Sequence, residues 1–457
     1  MSSLPRKRGR AREGASPRHP APTRRPSVAT PGSSPGQALP RKRGREKRRA
    51  LVIGGSLGGL FAAHLLRAAG WEADVFERIG EDLAGRGAGL GTHDALKDAM
   101  RRIGLDVETP LGVATHSYVC RDRSGRAVSE IRLERVMSAW ARLYRPLRDA
   151  LPAANYHAGM ALERVETDAR GATAVFTDGT RIAGDLLIGA DGVRSTVRTQ
   201  FLPDVKPAYA GYVAWRALTP EADVAPASRE ALFEHLTFCI PDGELLISYP
   251  VPARDGDLRP GRRDYNIVWY RPTDPRQLAD INTDAAGRVH EQVPPPLIRP
   301  EVTAAVKADA RALLAPAVAD VFVRTDQPFF QAIYDLASPR LVFGRVALLG
   351  DAAFVARPHV GAGVTKAALD ATCLADATAA EPDLDAALAY YDRERRRFGD
   401  WIVARSRDLG ACIGVSAIQA ESSLPRAGRP EFVMREYAAL PADVKNWAAG
   451  TLQRATA

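Results

Sequence analysis

Hydrophobic positions along this chain follow three rhythms, and each change of rhythm marks an element. Ala50–Ile53 is a short apolar run with β-branched members, the mark of a parallel strand buried on both faces. Leu60, Phe61, Leu65 and Leu66 continue at helical spacing to a stop at Gly70, and Ala73–Glu77 is a second strand-like run closed by an acid. Asp185–Gly189 and Val346–Leu349 repeat the buried-strand pattern. Each breaks at Gly and Asp and leads towards a helix, the first reaching about Phe201 and the second spanning 362–382. Between them, 208–272 is rich in aromatic and β-branched residues with long loops. That composition predicts a mostly antiparallel sheet with one wet face.

The remaining pattern fills in around these runs. Tyr118–Glu134 alternates about a Ser124-Gly125 turn and predicts a hairpin. Ser138–Leu151 predicts a short amphipathic helix ended by Pro152, and 155–183 predicts short strands with a turn at Asp178-Gly179. Three prolines make Val293–Leu297 a rigid extended bridge. A helix over about 301–314, a strand near 321–325, and helices over 384–410 and 431–455 complete the expectation.

Chemistry gathers where strands open into helices. Gly54-Gly55-Ser56-Leu57-Gly58-Gly59 lies between a strand and a helix, and Glu77 closes the next strand 23 positions after Gly54. This is a βαβ dinucleotide unit. Its glycines allow a tight turn and close approach of a pyrophosphate to the helix N-terminus, and its acid suits ribose hydroxyls. Ser56 stands at the middle glycine of the usual pattern. A second glycine-rich loop, Gly85–Gly91, has no strand leading into it and suits backbone packed on a flat ligand. Arg86 within it faces either a phosphate or solvent. Gly350-Asp351, then Gly361 and Gly363 before a helix, form a third such place.

Composition changes this picture only at the margins. A chain of 457 residues exceeds one simple core, so two interlocked domains are expected. No apolar run approaches the roughly 18 residues of a membrane span. Residues 1–49 carry 15 basic and two acidic residues, a net +13, so a total of +9 leaves the rest at −4. The tail lacks the apolar centre of a secretory signal and repeats the Leu4–Arg10 sequence at Leu39–Arg45. We expect it to be a disordered extension. A nucleic-acid-binding reading rests on it alone. The four cysteines are scattered without metal or redox spacing, which predicts reduced thiols in a cytoplasmic protein and no metal site.

In this order, Gly54–Gly59, Asp185–Gly192 and Gly350–Pro358 resemble the motifs of the single-component FAD-dependent aromatic hydroxylases of the p-hydroxybenzoate hydroxylase fold, over roughly residues 50 to 410. Gly350–Val360, Asn266–Arg271 and Gln327–Asp335 are similar, more narrowly, to the 2,6-dihydroxypyridine 3-monooxygenases and their relatives. The resemblance implies an α/β fold. A Rossmann-like FAD-binding domain (50–117, 136–207 and 331–412) would interleave with a mostly antiparallel β-sheet substrate domain (118–135 and 208–330), followed by a C-terminal helical extension (413–457). It implies that Gly54, Ser56, Gly59 and Glu77 serve the ADP part of FAD, and that Asp191 serves both FAD and the pyridine nucleotide; Leu57, Arg78 and Arg86 are further candidates for binding the cofactor. Asp351, Pro358, Gly361, Ala362 and Gly363 would serve the ribitol, pyrophosphate and flavin edge. NADPH or NADH would be a transient co-substrate without a domain of its own.

The implied reaction is hydroxylation of an electron-rich aromatic or heteroaromatic ring, such as a hydroxypyridine, by O2 through a flavin C4a-hydroperoxide. A phenolic or polyketide natural product is the alternative substrate. His359 and Tyr212 are the catalytic candidates. Tyr212, Trp215, Arg216 and Tyr270 belong either to the pocket or to the core. Phe354 stands where the family often has His. Trp140 stands where it tends to carry Arg, with Arg142 or Arg145 as substitutes. Neither a specific nucleic acid nor a membrane is an expected partner, and a homodimer is left open.

Overall fold

The computed structural model describes residues 47–85, 89–414 and 429–448, which fall in one unit, Lys47–Ala457. The basic tail up to Glu46 and Arg86 lie outside the described residues. The first buried run forms β1 (Arg49–Ile53), and α1 (Leu57–Ala68) returns the chain to β2 (Glu72–Glu77), parallel to β1. This is the expected βαβ unit. On the other side of β1 lie β10 (Leu186–Gly189) and then β17 (Val346–Leu348), both parallel to it. Two short strands, β16 (Val342–Phe343) and β6 (Tyr156–Ala158), close the six-stranded sheet. Helices α1 and α9 (Gly363–Ala380) bury its face, with Leu60, Phe61, Ala368 and Leu374 inaccessible to water.

The 208–272 region enters a nine-stranded sheet. Its order is β18 (Phe354–Val355), β15 (Phe329–Ala337), β11 (Ala208–Pro220), β14 (Asp264–Pro272), β13 (Leu245–Val251), β12 (His235–Cys239), β4 (Val113–Arg121), β5 (Ala127–Ala139) and β3 (Gly89–Gly91). All neighbours are antiparallel except β12 and β4, which run parallel. The expectation of one wet face is corrected. Tyr212, Ala214, Val268 and Tyr270 pack toward the dinucleotide unit, whereas Val213, Trp215, Ile267 and Trp269 pack into a second core with α8 (Pro316–Arg324). The run Tyr265–Tyr270 is continuously buried, as a two-sided strand requires.

Two further expectations change. Residues 321–324 form the end of α8 and Thr325 its C-cap, with Pro316 at its first turn and Val318, Val321 and Phe322 buried at helical spacing. The short apolar run imitated a strand because it is one face of a helix. The proline bridge tightens into a single 3-10 turn at Pro295–Leu297. A small sheet of β7 (Leu162–Thr167), β8 (Ala172–Phe176) and β9 (Arg181–Gly184) accounts for the strands expected after Asn155. Helices α2 (Asp94–Arg102), α3 (Trp140–Ala150), α4 (Thr196–Phe201), α5 (Pro226–Leu232), α6 (Pro275–Ile281), α7 (Pro300–Leu313), α10 (Leu384–Cys412) and α11 (Pro430–Ala448) complete the described elements. No helix among the described residues is long and apolar enough to cross a membrane.

A buried ion network ties β15 to the loop after β18 and to α10. Asp335 receives the Arg357 Nε at 2.7 Å on one oxygen and the Arg407 guanidinium at 2.7 Å on the other. Both Asp335 and Arg357 are nearly inaccessible. Removing one partner of such a pair strands a desolvated charge, which costs about 3–5 kcal/mol. Asp335→Ala is expected to lose stability of that size in urea unfolding. Asp335→Asn, which keeps part of the bonding, should lose less.

Candidate cofactor and substrate site

Four strand ends stand in one row. Ile53 pairs with Phe76 on one side and with Gly189 on the other, and Gly189 pairs with Leu348. The chain therefore leaves β1, β2, β10 and β17 at one edge, carrying Gly54–Ser56, Glu77, Asp191 and Gly350-Asp351 to a cleft of about 630 Å3. Gly54 has φ +109°, and a Cβ there would lie 2.4 Å from the Ala190 carbonyl oxygen. A Cβ on Gly59 would lie 1.8 Å from the Gly54 carbonyl oxygen. Neither position admits a side chain, so backbone approaches backbone as a dinucleotide turn requires.

The helices that open here keep bare N-termini. Ser56 caps α1 and Ala362 caps α9 without any side-chain bond. Gly361 turns the chain with φ +56° into α9. Leu57, Gly58, Gly363 and Val364 of these first turns line the cleft. Unpaired N–H groups and the positive helix ends favour an anion such as a pyrophosphate. Glu77 accepts the N–H groups of Gly55 at 2.7 Å and Ile79 at 2.9 Å, which fixes its carboxylate beside the glycine turn. The residues present thus fit a dinucleotide with its pyrophosphate between two helix ends.

Asp191 has a structural duty as well. Its carboxylate accepts the Ser195 hydroxyl and the N–H groups of Thr196 at 2.7 Å and Val197 at 3.2 Å, capping α4 while lining the cleft. Burial pushes its carboxyl above the ordinary range against those bonds. Asp351 is half exposed and receives Lys366 Nζ at 2.8 Å, the ammonium itself being buried. Arg198 donates to the carbonyls of Val193 at 2.6 Å and Ala352 at 3.2 Å, joining the second motif to the third. Phe354 does not face the cleft. It is buried against Phe398, and a Cβ on Gly399 would lie 2.7 Å from its ring.

A second, larger cleft of about 1990 Å3 lies over the nine-stranded sheet. Trp140 lines both clefts and stacks on Tyr144 at 4.7 Å. Arg142 is committed to the carbonyls of Pro110 and Gly256, whereas Arg145 is exposed at the second cleft. Strand alternation divides the β11 candidates. Tyr212 and Arg216 face the dinucleotide side, and Trp215 faces the opposite core.

His359 and Tyr212 are brought together inside the protein. The Tyr212 hydroxyl lies 2.7 Å from His359 Nε2, and the Tyr437 hydroxyl of α11 lies 2.7 Å from His359 Nδ1. Both ring nitrogens are thereby occupied. Neither His359 nor Tyr212 lines the two clefts described. Of the other expected cofactor residues, Arg78 lines the smaller cleft, while Gly59, Pro358, Gly361 and Ala362 do not. Sequence reasoning missed Arg198, Lys366 and Tyr437. A charge at helical spacing with buried apolar residues was the only signal for the first two.

Burial, with the Arg357 charge adding to it, lowers His359 to about 3, and burial lowers His93 to about 3. An unfolded histidine titrates near 6.5, so the unfolded chain binds more protons below that pH. Stability is full above pH 6.5 and falls on acidification toward pH 3, by up to about 1.4 kcal/mol per pH unit for each such group. His359→Gln should flatten the decline between pH 6.5 and 4.5, measured by denaturant unfolding at both values. Gly54→Val should abolish the yellow flavin absorbance of the purified protein, because strain at positive φ and the clash with Ala190 close the turn.

Comparison with known proteins agrees with this geometry. Residues 209–335 match a family described as FAD binding domain-like. The chain is 30% identical to 2,6-dihydroxypyridine 3-monooxygenase of Paenarthrobacter nicotinovorans, over 77% of this chain and 88% of that protein. It is 31% identical to 3-amino-4-hydroxybenzoate 2-monooxygenase of Streptomyces cremeus, over 73% and 79%. The solved 2,6-dihydroxypyridine-3-hydroxylase of Arthrobacter nicotinovorans superposes with a TM-score of 0.76 at 28% identity, covering 84% of this chain and 96% of that one. Klebsiella pneumoniae HpxO, solved with FAD and uric acid, gives 0.67 at 26% identity, covering 89% and 97%. An uncapped dinucleotide cradle, three strand-end motifs in one row and these relatives together lead to one conclusion: the chain belongs to the FAD-dependent aromatic monooxygenases of the p-hydroxybenzoate hydroxylase fold.

Proposed function

We propose that this enzyme hydroxylates a small, electron-rich heteroaromatic ring of the hydroxypyridine kind, with NADPH or NADH as the transient reductant and O2 as the oxidant. The observation that carries the reading is the junction at Trp140, where a cradle fitted to a dinucleotide opens onto a cleft floored by aromatic and polar side chains. Two of the relatives named above act on a dihydroxypyridine and on an aminohydroxybenzoate, as their names state, which supports the same class of ring. The reading includes a cytoplasmic setting, which four cysteines outside any disulfide favour. It also keeps the division into a discontinuous FAD domain (50–117, 136–207, 331–412) and a substrate domain (118–135, 208–330).

In this reading Gly54, Ser56, Leu57, Gly59, Glu77 and Arg78 hold the ADP end of FAD. Asp191, Asp351, Pro358, Gly361, Ala362 and Gly363 hold its middle and ring end. FAD when bound supplies the two-electron reduction and the activation of oxygen. The protein's own work is to bind, orient and exclude water, so that the ring is held near the reacting oxygen and peroxide does not escape. His359 serves this by position. With one nitrogen bonded to Tyr212 and the other to Tyr437, the neutral imidazole pins the loop between Pro358 and Gly361 to the sheet and to α11.

The cleft volume of about 1990 Å3 exceeds one ring and supports a second reading, a larger phenolic or polyketide substrate. A panel of hydroxypyridines, phenols and polycyclic phenols separates the two, scored by substrate-dependent NAD(P)H oxidation with product mass and peroxide measured together. A monohydroxylated pyridine product with little peroxide is the expected result. Turnover that yields only peroxide with every pyridine would remove the first reading.

A further inference from the structure

The floor of the larger cleft holds donors without acceptors. Arg216 on β11 makes no hydrogen bond or ion pair among the described residues, and its Nε is buried without a partner. Asn266 on β14 is 2% exposed, and its Nδ2 is likewise buried and unpaired. Its Oδ1 receives only a long contact from the Gly89 N–H at 3.4 Å. Register places the two side by side. Leu218 pairs with Asn266 and Arg216 pairs with Val268, so Arg216 and Asn266 are diagonal neighbours on the same face. Tyr249 pairs with Asn266 from the other side, and Tyr270 stands four positions along the same strand, on the same face.

The surroundings exclude the ordinary explanations for a lone arginine. No aromatic ring lies beneath its guanidinium among the described residues. Asp264, on the same face, interacts with Arg254 instead. Register sets Arg216 on the face that also carries Tyr249 and Tyr270, and its charge acts on both phenols against the effect of their burial. A buried donor left unpaired costs about 1–3 kcal/mol, so two of them on one floor mark the place of an acceptor that the protein does not itself provide.

We propose that Arg216 and Asn266 form the substrate-reading pair, and that the substrate is a monocyclic aromatic anion presenting a carboxylate or a deprotonated ring oxygen to them. This rests on the hydroxylase reading above and narrows it to anionic rings. A guanidinium and a carboxamide N–H2 side by side can each donate to one planar anion. The pair also sets orientation: the anionic group points to the sheet, and the ring carbon to be hydroxylated points away from it.

The test uses the FAD-loaded wild type, Arg216→Met, Arg216→Lys and Asn266→Leu, with binding measured by calorimetry. Two matched pairs of probes are used, 6-hydroxynicotinate against 6-hydroxynicotinamide and 2,6-dihydroxypyridine against 2,6-dimethoxypyridine. The first pair tests a carboxylate and the second an ionisable ring oxygen. The wild type is expected to prefer the ionisable member of at least one pair by tenfold or more. Arg216→Met should weaken that member by about 10- to 100-fold and its neutral mate far less, as loss of a charge-assisted bond requires. Arg216→Lys should restore part of the preference. Equal weakening of both members, an unchanged preference, no preference in the wild type, or a rise in KM for NADPH with ring binding intact would each overturn the proposal. Failure of the underlying reading has a different signature: a wild type that purifies without flavin and takes none up.

Discussion

One hydrogen-bonded row, Leu348–Gly189–Ile53–Phe76, sets the geometry of the whole cofactor site. In a parallel sheet, equal register brings successive strands to an end at the same level. The loops that follow must then share the space above that edge. Here they bring a glycine turn, an aspartate that caps a helix, and a Gly-Asp turn from parts of the chain up to about 300 positions apart. A slip of one residue in any pairing would turn a buried face outward and misalign its loop, so the hydrophobic cores of strand and helix also enforce the site.

The site is then braced from behind. Gly399 and Gly410 of α10 lie against Phe354 and against the Arg357, Tyr212 and His359 group, where a side chain would crowd its neighbours. A glycine inside a helix costs about 1 kcal/mol relative to alanine. That cost is offset by the close approach of a long helix to the loop between β18 and α9. Asp335 and Tyr437 fasten the same loop from the sheet and from α11. The loop is therefore over-determined on its protein side, which leaves Gly363, exposed at the cleft, to be shaped for a ligand.

The cofactor half of the fold was legible in the sequence for a physical reason. Gly54, Gly59 and Glu77 answer local demands of backbone approach and strand ending, and local demands leave marks at fixed spacing. The wet face expected for the large sheet was wrong because its second cover, α5 to α8, comes from helices before and after β14 that no period-2 reading of that strand includes. The helix at 321–324 was misread because three apolar residues fit either period. Among site residues, the pairing of His359 with Tyr437 and the lack of a partner for Arg216 depend on which side chains meet across strands and helices. Such meetings are set by register and crossing, and residue type at one position does not encode them.

The edges of the two large sheets are short. The six-stranded sheet ends in β16 and β6, of two and three residues, and the nine-stranded sheet ends in β18 and β3, also of two and three. A neighbouring chain seeking to add a strand would find only a few unpaired N–H and C=O groups on either sheet. The long interior strands, β11 and β14 among them, carry the continuous apolar sequence most prone to cross-chain pairing, and each is saturated on both sides. By enclosing these strands, the architecture that shapes the cofactor cleft also guards the folded protein against fibrous association.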